Sequence, residues 1–96
     1  MDANYFIAKF EAIPETDWCV GALSKAEEKD GKPTGKTLHC ALGHCALEEK
    51  PVLTSLLEPL GALSPTYIND NWHTGYRQLT PKQRILAALR DVKAGE

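Results

Sequence analysis

Cys40 and His44 stand four residues apart, the spacing that sets two side chains on one face of a helix. A thiolate and an imidazole so placed suit two chemistries: chelation of one zinc ion, or a nucleophile paired with its general base. Cys19, His39, Cys45 and His73 add further soft ligands. Neither chemistry has its full signature. There is no C-x-x-C knuckle and no second paired cluster, so Cys40 and His44 are metal candidates only if zinc is found, and no metal is otherwise expected. A cysteine hydrolase or transferase acting through Cys40 would need His73 or His44 as base, with Asn69 or Asp70 to orient it. Three histidines always supply some such combination. Buried free cysteine also behaves as a small hydrophobe. Packing is the preferred reading for these thiols, and the chain is read as non-enzymatic.

Two other constellations suit a ligand. Gly31-Lys32-Pro33-Thr34-Gly35-Lys36-Thr37 resembles a phosphate-binding loop, but only three residues separate its glycines where the Walker pattern needs four. What survives is a helix start at Lys36 and Thr37, whose free N–H groups suit an anion. Asn69, Asp70, Trp72, His73, Tyr76 and Arg77 form the richest polar-aromatic cluster. Aromatic rings offer stacking surface and arginine offers a clamp for phosphate or carboxylate. These eight residues are the candidate binding site, for a small anionic, nucleotide-like ligand. No cofactor motif is present.

The elements that must position these residues read as helices. Asp2 caps a first helix over 3–13, with Phe6, Phe10 and Ile13 on one face. Thr16 or Asp17 caps a second through Lys29, with Cys19, Ala22, Leu23 and Ala26 as its stripe. Gly21 weakens it, and a short β element over 18–24 is the competing reading. Asp30 to Lys36 is a loop by composition. Leu38–Glu49 reads as a central buried helix, with Leu38, Ala41, Leu42 and Cys45 inward, Cys40 and His44 on another face, and Gly43 allowing close approach. Pro51 opens a further helix that Pro59 ends or kinks, and Ser64-Pro65 starts a short one. Thr80-Pro81-Lys82-Gln83 opens the last helix, with Ile85, Ala88, Leu89 and Val92 inward and Arg84, Arg90 and Asp91 outward. The expected fold class is therefore mainly α, a single domain (1–96) of four to five helices.

Hydrophobic content of 43% with 25% charged residues suits one folded domain. A net charge of −2 creates no field for nucleic acid, and the basic residues Arg77, Lys82, Arg84, Arg90 and Lys93 are scattered over several faces. No basic leader and no apolar run near 18 residues is present, so neither secretion nor a membrane partner is expected. The odd cysteine count suits reduced thiols in a cytoplasm. A core this small would gain from a homo-oligomer.

Trp18-x-x-Gly21-Ala22, Cys40-Ala41-Leu42-Gly43 and Asn69-Asp70 before an amphipathic C-terminal helix together resemble a family of small uncharacterised proteins of bacteria and their phages. The chain departs from that pattern at His44, where a small residue is usual, and at Cys45. The resemblance implies a compact fold and a phage-encoded accessory or counter-defence role, binding a host protein or sequestering an anionic ligand. It transfers no mechanism.

Overall fold

A computed structural model describes residues 1–95. It overturns the mainly helical expectation: the fold is α+β, with four helices and a two-stranded antiparallel sheet. The elements run α1 (Ala3–Glu11), a 3₁₀ turn (Glu15–Asp17), β1 (Ser24–Lys29), β2 (Lys32–His39), α2 (Lys50–Leu57), a second 3₁₀ turn (Glu58–Leu60), α3 (Pro65–Asn69) and α4 (Pro81–Ala94).

Helix α4 is the spine. Helices α1, α2 and α3 all pack on it, because Ile85, Leu86, Ala88 and Leu89 present an apolar face that α1 meets with Phe6 and Phe10. Thr80 caps α4 by accepting from Gln83 N at 3.2 Å, with Pro81 at the first position. Asp2 caps α1 in the same way through Tyr5 N. Leu53 and Leu57 of α2 and Ile68 of α3 complete the core, and Trp18 closes it edge-on to Phe10 at 5.3 Å. Arg84, expected to face out, is buried. Its guanidinium donates to the carbonyls of Ile68, Asn69 and Gln78 at 2.7–3.2 Å, so the charge lies over the C-terminal carbonyls of α3.

The expected helix from Asp17 to Lys29 does not form. Gly21 sits at φ +81, outside helical space. Of the proposed stripe only Cys19 is buried, while Leu23 and Ala26 are exposed. The strand lies later than the competing reading placed it: within 18–24, Trp18 makes one isolated bridge to His39, and β1 begins at Ser24. Asp30 (φ 55) and Gly31 (φ 76) turn the chain as the central pair of a type I′ hairpin. Ala26 pairs Thr37 and Glu28 pairs Pro33, so Thr34, Gly35 and Lys36 bulge opposite the single residue Glu27. Gly35 at φ +84 serves that bulge.

The expected central helix is also absent. Leu38 and His39 end β2, and 41–44 make one isolated turn with His44 N bonded to Cys40 O. Tertiary partners interrupt any continuation: Cys40 N donates to Leu23 O, and Ala41 N to the Asn69 side chain. A fresh turn starts at Ala46, whose N–H is taken by the Glu49 carboxylate at 2.6 Å as half of a capping box. Tyr5 OH and Lys9 of α1 also hold Glu49. These contacts, the Tyr5 hydrogen bond first, keep the Glu49 carboxyl below its ordinary value. Cys45 does turn inward, into the core.

Gly43 permits the close approach expected of it, though between loops. A Cβ there would lie 2.0 Å from Leu23 O and 3.1 Å from the His39 Cβ. Backbone cannot yield as a flexible side chain can, so Gly43→Ala is expected to lower stability by about 3 kcal/mol in urea unfolding. Gly43→Ala at wild-type stability would refute this packing.

Candidate functional site

The polar-aromatic stretch 69–77 is divided by the way α3 ends. Ser64 caps that helix through Thr66 N and Pro65 occupies its first position. It closes in a Schellman motif: Trp72 N bonds to Tyr67 O at 2.8 Å, Asn71 N bonds to Ile68 O at 3.3 Å, and Asn71 takes the left-handed conformation at φ 65. That motif brings its last residue, Trp72, beside Tyr67. His73 follows with both ring nitrogens engaged. Nδ1 accepts from Gly75 N at 3.0 Å, and Nε2 donates to Leu60 O at 2.7 Å.

Trp72, His73, Tyr67, Leu63 and Gly61 line a surface cleft of about 160 Å³. Trp72 is 73% exposed and Leu63 83%. Of the eight sequence candidates only Trp72 and His73 reach it. Asn69 is buried: its Oδ1 accepts from Ala41 N, and its Nδ2 donates to Cys19 O at 2.9 Å and to Asp70 Oδ1 at 2.7 Å. Asp70 uses its other oxygen on Gly21 N. Asn69 thus staples the 19–21 loop and the 41–45 loop to α3, and Asp70 adds a second bond to the former. Tyr76 is buried, with its hydroxyl on Asp91 at 2.7 Å. Burial, then that hydrogen bond, pushes its pKa up to about 12. Arg77 is exposed and does not line the cleft.

Lys36 and Thr37 open no helix. They lie on β2, with Thr37 opposite Ala26 and Lys36 paired to Asp17 at 2.6 Å. The Asp17 hydrogen bond raises the Lys36 ammonium and lowers the Asp17 carboxyl. The ion pair ties the hairpin to the first 3₁₀ turn.

Neither cysteine chemistry is assembled. Cys40 is 1% exposed and follows a strand, so no helix N-terminus activates it. The nitrogens of His73 and the amide of Asn69 are committed elsewhere. His44 packs on Trp18 and His39. Among the described residues no three His, Cys, Asp or Glu side chains converge as metal ligands. All three thiols are free and buried, and burial pushes Cys45 up to about 11.

Sequence reasoning missed Gly61, Leu63 and Tyr67. The available signal was the αL-tolerant Asn71 after a Ser-Pro helix start, which sets Trp72 against Tyr67. Comparison with known proteins finds no matching family model, no matching curated protein and no matching solved structure. Among the described residues no helix is long and apolar enough to cross a membrane.

At pH 8 a thiol at about 11 is ionised in about one molecule in a thousand. Iodoacetamide is therefore expected to label Cys45 at least tenfold more slowly than a model peptide, with full labelling after denaturation. Cys40, being buried, is expected to follow it, and rapid native labelling of Cys40 would restore the nucleophile reading.

Proposed function

We propose that this is a non-enzymatic binding protein that docks a partner protein through the Leu63–Tyr67–Trp72 cleft, which takes in one apolar side chain of that partner. The observation that carries this reading is the exposure of Trp72 and Leu63 around a concavity. Large apolar side chains left in water beside a cleft stabilise nothing in the free chain, and exposed tryptophans beside pockets are the anchors that protein interfaces favour. A volume of about 160 Å³ suits one side chain; a cavity of roughly 150 Å³ takes a benzene-sized group.

The small-anion version of the binding role has less support. None of the five lining residues is a lysine or arginine, both ring nitrogens of His73 are engaged by backbone groups, and Lys36 is spent on Asp17. A host protein, as the family resemblance suggests, remains compatible with the apolar cleft.

The test uses the full chain and amide NMR. N-acetyl-leucinamide and N-acetyl-phenylalaninamide are expected to shift the Gly61, Leu63, Trp72, His73 and Gly75 amides. Trp72→Ala is expected to abolish those shifts and to change stability by under about 0.5 kcal/mol, because the side chain is exposed. Trp18→Ala is expected to cost about 3–5 kcal/mol. Nucleotides that shift these amides where both apolar amides do not would overturn the reading.

A further inference from the structure

His44 is held in a way that the cleft does not use. Its ring centroid lies 4.7 Å from Trp18 and 5.3 Å from His39, edge-on to the latter. Its Nε2 is buried without a hydrogen-bond partner among the described residues. The neighbourhood is the root of the hairpin. Here Cys19 N donates to His39 O and Cys40 N to Leu23 O, Trp18 bridges His39, and the Gly43 backbone lies against Leu23 O. Beyond that root the arm has little to hold it. Every residue of β1 and β2 except Glu27, Leu38 and His39 is exposed, and a lone two-stranded ribbon is marginal in water.

We propose that His44 is a proton-operated latch for the hairpin: neutral, it packs on Trp18 and His39 and keeps the root closed; protonated, it leaves that contact and the root opens.

The physical basis is the orphaned nitrogen. A proton arriving at Nε2 creates a buried N–H without an acceptor and a charge in a desolvated place. Three titratable groups face the ring. His39 of β2 opposes its charge, as does Lys9 of α1. Asp17 of the first 3₁₀ turn favours the charge both through its backbone and through its carboxylate, the latter already paired with Lys36 of β2. Desolvation is the largest influence and His39 the next, so the ring titrates below the ordinary imidazole value. The unfolded chain binds a proton at His44 near pH 6.5. In the window below that value the unfolded state therefore holds more protons than the folded one. The latch contributes fully above pH 6.5 and is lost as pH falls through the folded value.

The experiment follows the His44 ring protons by NMR from pH 7.5 to 4.5, together with hydrogen-exchange protection of the Cys19 and Cys40 amides. The expected result is His44 titrating below 6.5, with both protection factors falling about tenfold across that titration while the α4 amides keep theirs. In His44→Phe, which retains an aromatic ring on Trp18, the fall is expected to vanish. Should that variant not fold, the wild-type coincidence of ring titration and lost protection decides. Three results would each overturn the proposal: His44 titrating at or above 6.5, protection indifferent to its titration, or a fall that survives His44→Phe and disappears in His39→Gln.

Discussion

The fold depends on a cation buried without a carboxylate. Arg84 is buried in the first turn of α4, beside its apolar face, where an unpaired charge would be costly. It is tolerated because its N–H groups meet three backbone carbonyls, two of them from the open end of α3. Carbonyls at a helix C-terminus carry partial negative charge; the Schellman turn partners Tyr67 O and Ile68 O, and the guanidinium adds a donor to Ile68 O and takes Asn69 O. Burial lowers the Arg84 pKa, yet an arginine stays charged at any pH where the protein folds. The same Asn69 whose carbonyl Arg84 holds uses its side chain on Ala41 N and Cys19 O. One polar chain thus runs from α4 through α3 to both loops of the hairpin root.

That arrangement explains why residues with functional chemistry proved structural. Asparagine, aspartate and arginine bind ligands well because they place several hydrogen bonds at once, and the same capacity suits them to fix irregular backbone. Residues 18–23 and 40–46 have no regular partners, so their N–H and C=O groups must find side chains or each other. Asn69, Asp70 and Glu49 supply those partners. The side chains of Trp72 and Leu63 have no such structural use, and the proposed docking role rests on their exposure beside the cleft.

Legibility followed the strength of local signals. The capped helices could be read because proline and a hydroxyl cap fix a start without help from the rest of the chain: Ser64-Pro65 and Thr80-Pro81 do so here. The middle of the chain could not be read by periodicity. Cys40, Ala41 and Cys45 are buried because a loop is folded against the body, the last two into the core, and burial in a loop mimics a helical stripe when the residues are small. The Asp30-Gly31 dipeptide was a hairpin signal, but the flanking strands lack the alternating apolar residues that usually confirm one. They lack them because the arm has almost no buried face. Arg84 was read as outward on charge alone; its place in the apolar stripe beside Ile85 pointed inward, but only the open end of α3 makes that position tenable. In the candidate site, Trp72 and His73 were legible by type. Leu63, Tyr67 and Gly61 were not, since only the Schellman turn sets them together.

A hairpin without a hydrophobic face poses a thermodynamic problem, and its root is where the chain answers it. The strands exchange hydrogen bonds that water would otherwise make, for a small net gain, and must offset the entropy of some sixteen ordered residues. Local chemistry covers part of this: Asp30 and Gly31 already favour the left-handed turn, and Thr34 donates to Glu27 across the bulge. The remainder must come from the body, through Trp18, the Asp17–Lys36 pair and the contact that Gly43 alone permits. The ion pair is partly exposed and weak on its own. The ring contacts among Trp18, His39 and His44 and the backbone bonds of Cys19 and Cys40 at the root therefore join arm to body alongside it. The strands themselves add no residue to the core: Phe6, Leu53, Leu57, Ile68 and Ile85 pack within or between the helices, and only Trp18, at the root, belongs both to the core and to the contact with the arm.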